Sequence, residues 1–172
     1  MRQRLLAGGL TAIGVAFNAV CLGRATVGLS LGLILVYVFW LWGRWQGRRE
    51  RVLLLYILSI ALFCVHFAEE YLTGFYVDFP ALFGMQWSAS RFAVFNLVWL
   101  VVFALSALGV YRERSEAYVI VIFFALFGGI LNGAGHIALS LVQWRYFPGT
   151  VTAPLMLASG IILIHRLRIA KP

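Results

Sequence analysis

One stretch of the chain decides its fold class, residues 52–74, which read VLLLYILSIALFCVHFAEEYLTG. A helix that crosses the hydrocarbon core of a bilayer needs about 20 largely apolar residues, and this stretch is long enough. Its ionisable side chains, His66, Glu69 and Glu70, lie close together near its end. The stretch therefore predicts a membrane-spanning helix that carries a polar cluster.

The rest of the chain has the same character. Hydrophobic residues make up 63% of its 172 residues and charged residues 12%, a composition that a water-soluble domain of this size does not reach. Arg, Gly and Pro residues divide it into apolar runs at 5–23, 27–43, 52–74, 92–111, 117–144 and 150–167. We expect one all-α transmembrane domain, an integral membrane helical bundle of about six helices, with an aromatic interfacial cap formed by residues 75–91.

The basic residues give an independent test of this count, because cytoplasmic loops of membrane proteins carry an excess of Lys and Arg. With the N-terminus inside, most of the 14 basic residues fall in inner segments: Arg2, Arg4, Arg44, Arg48, Arg49, Arg51, Arg112, Arg114, Arg166, Arg168 and Lys171. The other three, Arg24, Arg91 and Arg145, fall one in each outer loop. This alternation predicts a multi-pass protein of the inner (plasma) membrane with both termini in the cytoplasm.

The net charge of +8 does not indicate nucleic-acid binding. The basic residues lie between the apolar runs, where they contact anionic lipid headgroups. We therefore expect membrane lipid as a partner and no nucleic acid, and the sequence leaves the oligomeric state open. Arg91 and Arg145 are candidate substrate-binding residues for a phosphate or carboxylate group, although arginines in such positions usually anchor the protein in the membrane.

A second polar stripe lies in the fifth predicted span. Asn132 and His136 are four residues apart and share one helix face, as His66 and Glu70 do. Counted at helical rise from the inner end of each span, His66 and Asn132 both lie about 22 Å into the membrane. We therefore predict one polar site in the outer half of the bilayer. Its expected members are His66, Glu69, Glu70, Asn96, Asn132 and His136.

The residue types in this cluster favour metal binding. Ionisable groups in hydrocarbon cost at least a few kcal/mol each, so they need partners, water or an ion. Two histidines and a carboxylate are the ligands of catalytic zinc sites and of non-haem iron sites. We interpret His66, Glu70 and His136 as ligands of a divalent metal ion, with zinc favoured over iron. The spacing leaves open which of the adjacent residues Glu69 and Glu70 is the ligand.

The remaining polar residues of the cluster fit an enzyme. We expect Glu69 to act as general base, and Asn132 and Asn96 to contact the substrate or orient the ligands. The leading hypothesis is a metal-dependent hydrolase that acts on a lipid or another hydrophobic small molecule. Three alternatives stay open: polar pairs that only hold helices together, a metal-free isomerase that uses a protonated glutamate and a histidine, and a non-enzymatic carrier of a hydrophobic ligand or of protons.

Three motifs give the chain a family resemblance. They are HFAEE at residues 66–70, N-G-x-x-H at 132–136 and Y-x-P-G-x-V-T-A at 146–153, in that order. Over residues 53–164 the chain resembles the bacterial membrane-protein family named for its HXXEE motif. The resemblance implies that His66, Glu69, Glu70, Asn132 and His136 are characteristic residues of the family. It implies no substrate, because the function of that family is unassigned.

Overall fold

A computed structural model describes residues 1–43 and 49–168 of the protein. Over these ranges the chain forms seven helices and no strand. The helices are α1 (Arg2–Leu22), α2 (Val27–Trp42), α3 (Arg49–Thr73), α4 (Phe75–Ala81), α5 (Ala89–Tyr111), α6 (Ala117–Gln143) and α7 (Ala153–Arg168). The predicted all-α class is confirmed.

Four of these helices are long and apolar enough to cross a membrane: α1, α3, α5 and α6. The other two apolar helices, α2 and α7, have 16 residues each and so span about 24 Å, less than the hydrocarbon thickness. The predictions of six spans and of cytoplasmic termini therefore stay predictions. Arg44, Arg48 and Lys171, which carry part of the charge argument, lie outside the described residues.

The segment between α3 and α5 packs as a cap on the helices. Gly74 begins it with a φ of 89°, a left-handed conformation that glycine adopts without steric cost, and this turns the chain into the short helix α4. Phe75 and Trp87 are each only 9% exposed. Phe75 stacks on Phe79, and Trp87 stacks on Phe92 of α5. The cap therefore closes one end of the bundle with aromatic rings.

Helix α6 changes its winding just before the second polar motif. Residues Phe124–Leu131 form a π-helical segment, and α-helical winding resumes at Asn132. A π-helical turn contains an extra residue and rotates the side chains that follow it. In this chain the segment precedes the turn that carries Asn132 and His136, and so contributes to the direction in which both side chains point.

Glycines allow α6 and α7 to pack at backbone distance. A Cβ atom on Gly129 would lie 2.7 Å from the Cα atom of Gly160, and one on Gly133 would lie 2.6 Å from the carbonyl oxygen of Ala153. Small residues at such crossings are typical of helix pairs in membranes. Helix α7 begins at Ala153 and not at the expected Thr150, because Gly149 has a φ of 91° and the Thr150 hydroxyl donates to the Phe147 carbonyl in a turn.

Helices α1 and α2 form a hairpin that packs against α5. A 3-10 turn, Gly23–Thr26, connects them, which agrees with the expected tight connection between two spans. The buried side chain of Asn18 accepts a hydrogen bond from the indole nitrogen of Trp99 at 3.0 Å. The same amide donates to Ser30 Oγ on α2 at 3.4 Å. One buried amide thus joins α1 to both α2 and α5.

Candidate metal centre

Three side chains from two helices meet inside the bundle. His66 and Glu70 lie one turn apart on α3, and His136 lies on α6. Glu70 Oε1 is 3.0 Å from His136 Nε2 and 3.4 Å from His66 Nε2, and the two imidazole centroids are 4.8 Å apart. None of the three residues is more than 4% exposed. The predicted proximity of these residues is confirmed, and we call them the triad.

The ring nitrogen of His66 that faces away from the triad, Nδ1, has a defined hydrogen-bond partner. His66 Nδ1 is 2.6 Å from the hydroxyl oxygen of Thr152, and that hydroxyl donates to Glu69 Oε2, also at 2.6 Å. The hydroxyl of Thr152 has a single hydrogen, and this hydrogen is donated in the hydrogen bond to the Glu69 carboxylate. Thr152 must therefore accept a hydrogen bond from Nδ1–H of His66. A neutral His66 then directs the lone pair of Nε2 into the triad.

A backbone carbonyl fixes the tautomer of His136 in the same way. Its Nδ1 is 2.5 Å from the carbonyl oxygen of Pro148, which can only accept, so Nδ1 carries a hydrogen. Pro148 is followed by Gly149, where a Cβ atom would lie 2.5 Å from Cε1 of the imidazole. The turn thus lies directly against the ring. It leaves His136 Nε2 facing Glu70.

Two nitrogens and one carboxylate oxygen therefore converge within 4.8 Å of one another. When both imidazoles are neutral, the facing His136 Nε2 and Glu70 Oε1 both have lone pairs, and such atoms repel each other unless a proton or a metal ion lies between them. Metal-binding histidines usually donate their second N–H to a carbonyl or a carboxylate, which fixes the tautomer, as Pro148 and the Thr152–Glu69 pair do in this protein. The donor set fits a divalent metal ion.

Asn132 contacts both imidazoles. Its Nδ2 donates to His66 Nε2 at 2.8 Å, and its Oδ1 is 3.0 Å from His136 Nε2. Without a metal ion, one proton on His136 Nε2 would satisfy both Asn132 and Glu70. A proton on His136 Nε2 and a metal ion bound by both Nε2 atoms are therefore alternatives, and the metal ion would replace the hydrogen bonds of Asn132 to these two atoms.

Glu69 lies beside the triad but faces another segment. Its Oε1 accepts from the Tyr146 hydroxyl and the Val151 amide, both at 2.8 Å, and its Oε2 accepts from the Thr152 amide and hydroxyl. Burial raises the pKa of Tyr146, and the carboxylate of Glu69 raises it further, against the opposite effect of Thr73. This carboxylate joins α3 to the segment that leads into α7.

A cavity of about 270 Å³ adjoins the triad. Glu70, His136 and Asn132 form part of its wall, and Asn96 of α5 lies in the same wall. Asn96 Nδ2 donates to the Phe92 carbonyl at 3.0 Å, within its own helix. The structure thus brings Asn96 to the same cavity as the triad, without a hydrogen bond between them among the described contacts.

Arg91 and Arg145, the expected substrate-binding residues, lie elsewhere. Both side chains are exposed, and neither contributes to the cavity wall. Arg145 Nε donates to Gln143 at 2.9 Å. Their role in substrate binding stays a prediction that the geometry of this cavity does not support.

Sequence reasoning missed the residues that orient the imidazoles. Thr152 and Pro148 both lie in the Y-x-P-G-x-V-T-A motif, which is visible in the sequence. Their roles could not be predicted, because Pro148 acts through its backbone carbonyl, which every residue type has. Thr152 is 86 positions away from its partner His66. Contacts over that distance depend on how α7 packs and not on any local pattern.

Comparison with known proteins agrees with the geometry. A family model described as a protein of unknown function with HXXEE motif matches residues 57–163, more than half of the chain. The match includes the triad, Asn132 and Thr152, and it excludes α1 and α2. No curated protein matches the chain, and no solved structure does.

Proposed function

Because the chain belongs to the HXXEE-motif family, whose function is unknown, we propose a function from the geometry: a metal-dependent membrane enzyme that hydrolyses a lipid or another hydrophobic substrate. One observation carries the proposal. The buried imidazoles of His66 and His136 both use their Nδ1–H groups on outside acceptors and direct Nε2 toward Glu70 Oε1.

In this proposal His66, Glu70 and His136 bind one divalent ion, with zinc favoured over iron because three protein ligands of these types are typical of catalytic zinc. A bound zinc ion would lower the pKa of a coordinated water to about 7 and polarise a substrate carbonyl. The residues around the ligands would orient the substrate. The Asn132 amide, at 2.8–3.0 Å from both imidazoles, is placed to hold a polar group of the substrate beside the ligands.

The geometry gives the two adjacent glutamates different roles. Both oxygens of Glu69 already accept two hydrogen bonds each, and Glu69 is not part of the cavity wall. We therefore propose that Glu69 is a positioning residue that acts on His66 through Thr152. The earlier expectation of a general base at Glu69 is the less favoured assignment.

A metal-free isomerase is the second candidate. It is favoured by the 3.0 Å contact between His136 Nε2 and Glu70 Oε1. In such a reaction a protonated Glu70 would give its proton to one carbon of a double bond in the cavity, and His136 would remove a proton from the adjacent carbon, so that the double bond moves. The two candidates differ in one respect that can be measured directly. Only the first requires a metal ion.

Metal content tests the proposal. The purified protein should contain about one zinc or iron ion per chain, and both His66→Ala and His136→Ala should lose it, because two remaining ligands hold zinc poorly. Ser59→Ala is the matched control. Ser59 is buried on the same helix, seven residues before His66, and donates only to the Leu55 carbonyl. Equal metal content in all four proteins contradicts the proposal, and metal-free protein with intact fold favours the isomerase.

For the membrane topology we propose six crossings with both termini in the cytoplasm of the cell and the triad in the outer half of the bilayer. The four long apolar helices and the alternation of basic residues support it. Single cysteines at Asp78→Cys and Glu113→Cys, in a chain without Cys21 and Cys64, should react with impermeant reagents from opposite sides of the membrane. Reaction from the same side contradicts the topology.

A further inference from the structure

The wall of the cavity beside the triad has a polar part and an apolar part. Five of its residues have polar side chains, Glu70, His136, Asn132, Asn96 and Thr26, whereas most of the remaining wall is aromatic or aliphatic. The hydroxyl of Thr26 already donates to the carbonyls of Asn18 and Gly23. No Lys or Arg from the described residues contributes to the wall. The cavity thus offers hydrogen bonds near the triad and hydrocarbon contact elsewhere.

The size of the cavity limits what it can hold. A volume of 270 Å³ corresponds to about nine groups the size of a water molecule or a methylene, at roughly 30 Å³ each. A chain of about ten carbons fills it. The two long chains of a membrane phospholipid do not fit.

Part of this wall comes from the hairpin of α1 and α2. Leu22, Thr26 and Leu29 line the cavity, and all three lie outside residues 57–163, which match the family model. The hydrogen bond between Asn18 and Trp99 holds the hairpin against α5, and Trp99 is itself part of the wall. Part of the cavity wall is therefore encoded outside the region that carries the triad.

We propose that the cavity binds the hydrocarbon chain of a single-chain, uncharged lipid of about ten carbons, with its polar group at the triad, and that the hairpin sets the preferred chain length. This inference rests on the proposed function in one respect, that the reactive end of the lipid lies at the triad. The chain site itself needs no metal ion. It is formed by side chains that are in place without one.

Thermal unfolding in lipid nanodiscs tests this with monoacylglycerols of six to sixteen carbons as probes. In a bilayer the chain is already surrounded by hydrocarbon, so a longer chain gains no transfer free energy, and only its fit in the cavity distinguishes one length from another. Stabilisation should be greatest near ten carbons and should fall for longer chains, because an overfilled cavity forces its wall apart. Dioleoyl phosphatidylcholine, with two chains, should give no stabilisation.

Two substitutions on one helix provide the matched comparison. Leu29→Trp narrows the cavity and should shorten the preferred chain by about two carbons, since an indole adds roughly two groups of 30 Å³. Leu31→Trp lies on the same helix but faces outward, with 56% of Leu31 exposed, and should leave the preference unchanged. A preference that shifts equally in both variants overturns the role of the hairpin.

The same measurement on chelator-treated protein shows whether the chain site exists independently of the proposed metal enzyme. An optimum near ten carbons with no metal bound in the untreated protein supports the chain site and contradicts the metal enzyme. A wild-type profile without an optimum overturns the chain site, whatever the metal content.

Discussion

Thr152 shows how much of the site depends on a single hydroxyl. It accepts from His66 Nδ1 and donates to Glu69 Oε2, so it transmits the negative charge of Glu69 to the tautomer of His66. A valine has the same shape without the hydroxyl. It would leave Nδ1–H of His66 without a partner, and the imidazole could then adopt the tautomer that does not bind a metal ion with Nε2.

We therefore expect Thr152→Val to weaken metal binding by about 10- to 100-fold, the usual cost of losing such an outer partner. Thr152→Ser keeps the hydroxyl and should bind nearly as well as the wild type. Titration against a chelator of known affinity measures both. Thr11→Val, which removes another buried hydroxyl that donates to the Ala7 carbonyl, controls for general destabilisation. If Thr152→Val and Thr11→Val bind metal equally well, Thr152 does not position His66.

At the residue scale the sequence predicted which groups meet but not all of their roles. The four-residue spacing of His66 and Glu70, and the equal depths predicted for His66 and Asn132 and for Glu70 and His136, were enough to predict the triad. The choice between Glu69 and Glu70 was not available, because both lie within one turn of His66 and differ by about 100° around the helix. The rotation of α3, which packing against α5 and α7 determines, directs Glu70 toward His136 and Glu69 toward Thr152.

At the scale of elements, the turn between α6 and α7 is as important as the helices. Gly149 combines a φ of 91° with direct contact to the His136 ring. Gly74 has a nearly identical φ of 89°, but a Cβ atom there would meet nothing within 4 Å. A comparison of substitutions at these two glycines therefore distinguishes the effect of backbone strain from the effect of contact with the His136 ring.

Gly149→Ala and Gly74→Ala should both destabilise the protein by about 1–2 kcal/mol, the cost of a left-handed conformation for alanine. Only Gly149→Ala should also lower metal affinity, by about tenfold or more, because its methyl group displaces the His136 ring. Thermal unfolding and metal titration measure the two effects. Equal metal affinity in both variants would show that the Gly149 turn does not position His136.

The helices themselves were predicted well from apolar runs, and the exceptions have local causes. The π-helical segment Phe124–Leu131 leaves no mark in hydropathy, since all its residues are apolar or glycine. The late start of α7 results from Gly149 and from the Thr150 hydroxyl, whose acceptors are carbonyls. Such features depend on backbone hydrogen bonds that the sequence does not display.

At the scale of the whole molecule, hydropathy and charge predict a helical membrane protein, and the chain shows a helical fold with four helices long enough to span. The cavity could not be predicted, because its wall combines side chains that are far apart in the sequence, from Leu22 to Leu139. The substrate-binding role of Arg91 and Arg145 stays a prediction. Their position next to the expected site in sequence did not bring them to the cavity.

We propose that His66, Glu70 and His136 hold one metal ion through two imidazoles and a carboxylate. X-ray absorption spectroscopy of the purified protein at the zinc and iron edges tests it most directly. We expect nitrogen and oxygen ligands at about 2.0–2.1 Å with scattering from two imidazoles, and we expect His136→Ala to lose the metal ion and with it this signal. A shell without imidazole scattering, or a spectrum that is the same in wild type and His136→Ala, would contradict it.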